Sequence, residues 1–219
     1  MESKEFFTDD YKKLNEKASC RYILQNVEIS APQEKFLNLV IQLLECPDDF
    51  KIESFDAYSE QIILDYLYYS HELYVNKFIP EIEQSISLLK RDPSLHMGSI
   101  YILEVLFNDY KTFLEEHISF ENESVFPVIQ NILDHKNNKN AETQHQYANL
   151  AEFYLNHTDT EKDLKKIKQL LEDIEPSQTS KSVYTILCSQ ILWLEKDLLI
   201  HSKLEEEVLL PRMMNESLS

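Results

Sequence analysis

Glycine is nearly absent from this chain of 219 residues. Gly98 is the only one, beside seven prolines. Folds built on strands spend glycine at tight turns, so this poverty argues against an all-β protein and for an all-α one. Cysteine is scarce as well. Cys20, Cys46 and Cys188 are odd in number and far apart, with no CxxC pair. That spacing argues against a disulfide framework or a thiolate metal site, and suits free thiols in a reducing compartment. No apolar run approaches the length that spans a bilayer. The opening residues, Met1 to Asp10, contain no apolar core of the secretory kind, so a cytoplasmic location is expected. Positive charge is in deficit, with a formal net charge of −18. A field of that sign repels phosphate backbones and anionic headgroups, which argues against nucleic-acid and membrane partners.

What the chain does have is a repeated pattern. His117-Ile118-Ser119-Phe120-Glu121 is followed by Pro127, and His201-Ser202-Lys203-Leu204-Glu205 is followed by Pro211. In both, Glu stands four residues after His and Pro six after Glu. Four residues make about one helical turn, roughly 6 Å of rise, so His and Glu share one face. An imidazole and a carboxylate from each of two helices can grip a shared pair of metal ions.

Two further histidines fall into register. The midpoint of His71 and His117 is residue 94, inside the turn signal Arg91-Asp92-Pro93-Ser94. The midpoint of His157 and His201 is 179, inside Pro176 to Ser180, and that of His117 and His157 is 137, inside Lys136 to Asn140. Helices running up and down between these turns would bring His71, His117, His157 and His201 to one level. The fold expected is an antiparallel up-down four-helix bundle over residues 59–219, preceded by a small helical extension over 1–58.

The apolar stripes agree with that reading. The first helix is expected from about Ser59 to Lys90, with the seam Leu64, Leu67, His71, Tyr74, Phe78 and a break at Pro80. The second runs from about Ser94 to Leu133, with Leu103, Leu106, Tyr110, Phe113, His117 and Glu121 on its seam. The third runs from about Ala141 to Ile174 through Tyr154, His157, Glu161 and Leu164. The fourth runs from about Lys181 to Met213 through Leu187, Ile191, Leu194, Leu198, His201, Glu205 and Val208. In the extension, Ala31-Pro32 reads as a break, Gln33 to Glu45 as a short amphipathic helix, and Asp48 to Asp56 as a linker. No chemical motif occurs there.

A single HxxxE is weak: it commonly marks a solvated helix face. Two copies, two more seam histidines and three turns at the computed midpoints coincide much more rarely. His96 reads as a helix-start residue, and His135 and His145 as flanking a loop. Glu72 and Glu161 read as solvated or supporting acids, and Tyr68, Tyr69 and Tyr74 as aromatic packing near the site.

On these residues the chain resembles the hemerythrin-like family, nearest the di-iron "repair of iron centres" proteins. The segments that carry the likeness are IILDYLYYSHELYVNKFIPEI, HISFENESVFP, NHTDTEKDL and HSKLEEEVLLP. The resemblance implies two non-haem, carboxylate-bridged iron ions, with manganese as the other choice. It carries the ligands onto His71, His117, Glu121, His157, His201 and Glu205, with the two glutamates bridging. It implies a redox-active centre that binds O2, NO or peroxide, a role in oxidative or nitrosative stress, and iron–sulfur proteins as partners. Where hemerythrins proper place a second histidine on the third helix, this chain has Glu161, and it lacks the adjacent cysteine pair of the repair proteins. A sensor acting through a protein partner, and a metal-free helical interaction protein, stand as the alternatives; enzymatic turnover is left open.

Overall fold

The computed structural model describes residues 19–135 and 162–216. Everything regular among them is helical, with no strand. The extension contributes α1 (Ser19–Asn26) and α2 (Ala31–Glu45), followed by two short 3-10 turns at Pro47–Asp49 and Ile52–Phe55. Then come α3 (Glu60–Leu73), α4 (Ile79–Leu89), α5 (Met97–Phe120), α6 (Phe126–Asp134), α7 (Lys162–Glu172), α8 (Lys181–Lys203) and α9 (Leu210–Glu216).

The expected break at Ala31-Pro32 is instead the first turn of α2. Ser30 caps that helix in reciprocal fashion with Gln33, whose Oε1 accepts from the Ser30 N–H at 2.9 Å and from its hydroxyl at 2.8 Å. Proline suits a first turn because its missing N–H would have no helical partner there. The expected linker after α2 holds Phe55, whose side chain is fully buried.

The break expected at Pro80 takes a particular form. α3 and α4 join without a loop through a π-helical turn, Tyr74–Phe78. The same device joins α5 to α6 at Glu121–Val125 and α8 to α9 at Leu204–Leu209. A proline stands at the start of the helix after each one: Pro80, Pro127 and Pro211. A proline cannot donate to the carbonyl four residues back, so the α ladder cannot continue unchanged through it. In each case the residue ahead of the proline donates five residues back: Ile79 to Tyr74, Phe126 to Glu121, Leu210 to Glu205.

Packing follows the apolar stripes. α8 lies against α4, α7 and α2; α5 lies against α4 and α7; α3 meets α6, α1 and the π turn Leu204–Leu209. The fourth seam is buried as expected, from Leu187 through Val208. On α5 the seam drifts by one position. Leu103 and Tyr110 are buried, but Phe107 and Leu114 take the inward places expected for Leu106 and Phe113, and Ile118 is buried beside the half-buried His117. That is the drift of a 3.6-residue repeat against a 3.5-residue one. The core does not stop at residue 58: Cys20, Phe36, Val40, Leu44 and Phe55 belong to the same buried cluster as Leu67, Tyr74 and Leu198. Phe36 packs edge-on against Tyr66 of α3 at 5.5 Å, and Lys77 lies over the Tyr22 ring at 3.7 Å.

The loops at the far end are tied together. Asp92 accepts from the Ser94 N–H at 2.9 Å, the Ser94 hydroxyl at 2.6 Å and the Ser177 hydroxyl at 2.5 Å. These bonds hold its carboxyl well below the usual carboxylate range. No helix of the described residues is long and apolar enough to cross a membrane.

Candidate metal centre

Six residues were expected at the site. Five lie among the described residues. His157 falls outside them, as do Glu161 and His145. His71, Glu121 and His201 each offer a ligand atom within 4.8 Å of the other two, and all three side chains are buried. His117 joins them through Glu121, whose Oε1 lies 2.9 Å from His117 Nε2. Its other oxygen lies 3.2 Å from His71 Nε2. Glu205 is 1 % exposed and lines, with His71, His117 and His201, a cavity of about 10 Å³. Leu114, Ile118 and Leu198 make the apolar part of its wall.

The π turns aim these side chains. Glu121 opens one turn and Glu205 lies within another, each with its own carbonyl accepting the five-residue bond described above. π turns inside α-helices occur often at functional sites, because the widened turn re-aims a side chain without ending the helix. The third turn begins at Tyr74, and Tyr74 stands six residues ahead of Pro80, as Glu121 does ahead of Pro127 and Glu205 ahead of Pro211. Tyr74 is fully buried, and its ring lies edge-on to that of His201 at 5.7 Å and tilted to that of His71 at 6.3 Å. The x5-Pro spacing was thus present three times in the sequence. The third copy is hidden because its site residue is a tyrosine, three residues after His71 rather than four.

Neighbouring groups engage Nδ1 of each imidazole and leave Nε2 turned to the site. Ser70 gives its hydroxyl hydrogen to the Leu67 carbonyl at 2.8 Å. Its oxygen, 2.9 Å from His201 Nδ1, is left to accept, so Nδ1 carries a hydrogen. On the other side Asn122 Oδ1, a pure acceptor, lies 2.9 Å from His71 Nδ1. The two Nε2 atoms face each other at 3.1 Å, with the Glu121 carboxylate 3.2 Å from that of His71. Two imidazole nitrogens and a carboxylate oxygen gathered out of water are a donor set that a cation can coordinate. The residues present therefore fit a metal ion, and the Nδ1 contacts are of the kind that orient histidine ligands. Phe126 stacks on the His71 ring at 5.2 Å and 11° between planes, closing that side.

Asp197, one turn before His201, was not foreseen. It is buried, and its oxygens accept from the Ser19 N–H at 2.8 Å, the Ser19 hydroxyl at 2.7 Å, and the hydroxyls of Tyr66 and Tyr74 at 3.3 Å each. Burial pushes its carboxyl up, against the pull of these donors, Ser19 first. Burial and then the nearby Asp197 charge push the phenols of Tyr66 and Tyr74 well above their ordinary value. No spacing rule in the sequence marks Asp197, since its partners come from two segments distant from it in the chain.

The other histidines are accounted for. His96 caps α5, accepting from the Ser99 N–H at 3.3 Å. His135 is exposed at the end of α6, 2.9 Å from the Asn131 carbonyl.

No protein-family model, no curated protein and no solved structure matches this chain. The reading of the site therefore stands on its chemistry.

Proposed function

We propose that this chain is a hemerythrin-like di-metal protein. Residues 59–219 would form an antiparallel up-down four-helix bundle around two non-haem ions, iron in the first place and manganese in the second. His71, His117, His201 and, from the third helix, His157 would be terminal ligands. Glu121 and Glu205 would bridge. The observation that carries the reading is the buried group of His71, His201 and Glu121, with His71 Nε2 and His201 Nε2 facing each other and Glu121 against the first. Mixed nitrogen and carboxylate donors suit iron and manganese, whereas the lack of thiolates in the group argues against soft-metal chemistry.

When bound, such a pair supplies redox equivalents and an open coordination position. The chain's own residues do the rest. Glu121 and Glu205 neutralise the cations' charge. Leu114, Ile118 and Leu198 form the apolar part of the cavity wall. O2, NO or peroxide is the proposed ligand class. The proposed setting is oxidative or nitrosative stress in the cytoplasm, with iron–sulfur proteins as clients.

Metal analysis of aerobically purified protein, taken with its absorption spectrum, tests this. About two ions per chain and near-ultraviolet absorption from a bridged ferric pair are expected. A reproducible single ion in fully loaded protein would refute the paired centre, and no bound metal at any loading would refute the metal reading.

A further inference from the structure

The extension reaches the site through hydrogen bonds and a final ring contact. Ser19 is fully buried at the start of α1 and gives both its N–H and its hydroxyl to Asp197. Asp197 accepts from the Tyr74 hydroxyl, and the Tyr74 ring lies edge-on to the His201 ring at 5.7 Å. Three side chains thus lead from the first helix to the ring of a proposed ligand. Tyr66, 3.3 Å from both Ser19 Oγ and Asp197 Oδ1, braces the middle of the chain.

We propose that Ser19, Asp197 and Tyr74 are positioning residues for His201, so that α1 is a working part of the metal centre rather than an appendage to it. This rests on the metal-binding reading above. The argument is geometric. The Tyr74 ring lies edge-on to the His201 ring, and its hydroxyl is anchored by a carboxylate that α1 in turn holds in place. If α1 undocks, Asp197 loses its two shortest contacts, at 2.7 and 2.8 Å. Tyr74 then loses the support that holds its ring against that of His201. Coupling of this kind is reciprocal: if a docked α1 favours the metal, the metal must favour a docked α1.

The test uses the full chain with Co2+ as probe. The variants are Tyr74→Phe, Asp197→Asn and Ser19→Pro; the last removes both donors to Asp197 yet suits a first helical turn. Tyr184→Phe, which removes a hydroxyl bonded to the Leu171 carbonyl at 2.7 Å, is the structural control. Expected is a fall in Co2+ affinity on the order of 10–100-fold in the three variants, with altered cobalt visible bands, and wild-type behaviour in the control. In the unaltered protein, Co2+ should slow amide exchange over residues 19–26. Wild-type affinity and spectrum in all three variants, or exchange over 19–26 that ignores Co2+, overturns the proposal while leaving the metal reading intact. Failure of the unaltered protein to bind Co2+ or Fe2+ overturns both.

Discussion

His71 and His201 meet nitrogen to nitrogen, Nε2 to Nε2, at 3.1 Å, each with its Nδ1 engaged by a neighbour. Two imidazoles set in this way compete for one position between them. A metal-free protein must tolerate that contact, and a metal-loaded one uses it. Metal should therefore stabilise the fold by mass action, by about 2.7 kcal/mol at a free concentration one hundred times the dissociation constant. Thermal melts with added Fe2+ or Mn2+, and again after a chelator, read this directly. A melting temperature indifferent to both treatments would count against the site.

Glu121 touches two imidazoles, His71 at 3.2 Å and His117 at 2.9 Å, and so matters more than either alone. Glu121→Ala should lose the second metal or the bridge absorption, and Glu205→Ala should behave alike. His157→Ala should keep partial occupancy, with water filling the gap. Metal stoichiometry and spectra across the three variants check the ranking. Full occupancy in Glu121→Ala beside an empty His157→Ala would reverse it.

The prolines offer a separate test, because they act only through the backbone. In Pro127→Ala an N–H is restored, and an ordinary α ladder can run through residues 121–125. The fold should persist with stability equal to or above that of the native chain. Metal occupancy should fall, because Glu121 would be re-aimed. Loss of metal with no loss of melting temperature is the expected pair of results; unchanged occupancy would show that the π turn is not needed to aim the carboxylate.

Asp92 gives a pH dependence with a definite sign. Its hydrogen bonds from Ser94 and Ser177 lower its folded value below the unfolded one of about 3.9. The stability it contributes is therefore present above the unfolded value and lost as pH falls toward the folded one. The stability gap between the native chain and Asp92→Ala should be constant above about pH 5 and shrink below pH 4. Urea titrations at pH 7, 4 and 3 measure it. A gap that widens in acid would contradict the assignment.

Phe36 tests whether the extension shares the core. Its ring is 1 % exposed and lies against Phe55 and Tyr66. Phe36→Ala should cost about 3–5 kcal/mol. The loss should appear in one unfolding transition, with tryptophan fluorescence from Trp193 and far-ultraviolet circular dichroism moving together. Two separated transitions would show that residues 19–58 unfold alone.

Much of this was readable before any coordinates. The helical class follows from one glycine and long apolar stripes, and the two HxxxE copies pick out Glu121, His201 and Glu205 by spacing alone. What a stripe cannot show is where its turn widens. The drift on α5, from Leu106 and Phe113 to Phe107 and Leu114, accumulates within one helix and is invisible to a fixed 3-4 count. Tyr74 was placed on the seam but read as packing, because a phenol breaks the His-Glu pattern that drew attention to the other two turns. Asp197 depends on Ser19, Tyr66 and Tyr74, which no local pattern connects. Ala31-Pro32 was misread because proline ends one helix and begins another with equal ease.

Each π turn is also, in effect, a one-residue insertion that the helix has absorbed without looping out. An α-helix turns by about 100° per residue, so the chain beyond such a turn carries that much extra phase. Three helices carry it, each just ahead of a proline. A deletion of one residue anywhere in 121–126 would cancel the slip in α5–α6 alone and turn Ile129 and Ile132 off the core they now fill. The spacing between site residue and proline is therefore itself a constraint, and a length change there should be tolerated less than most changes of residue type.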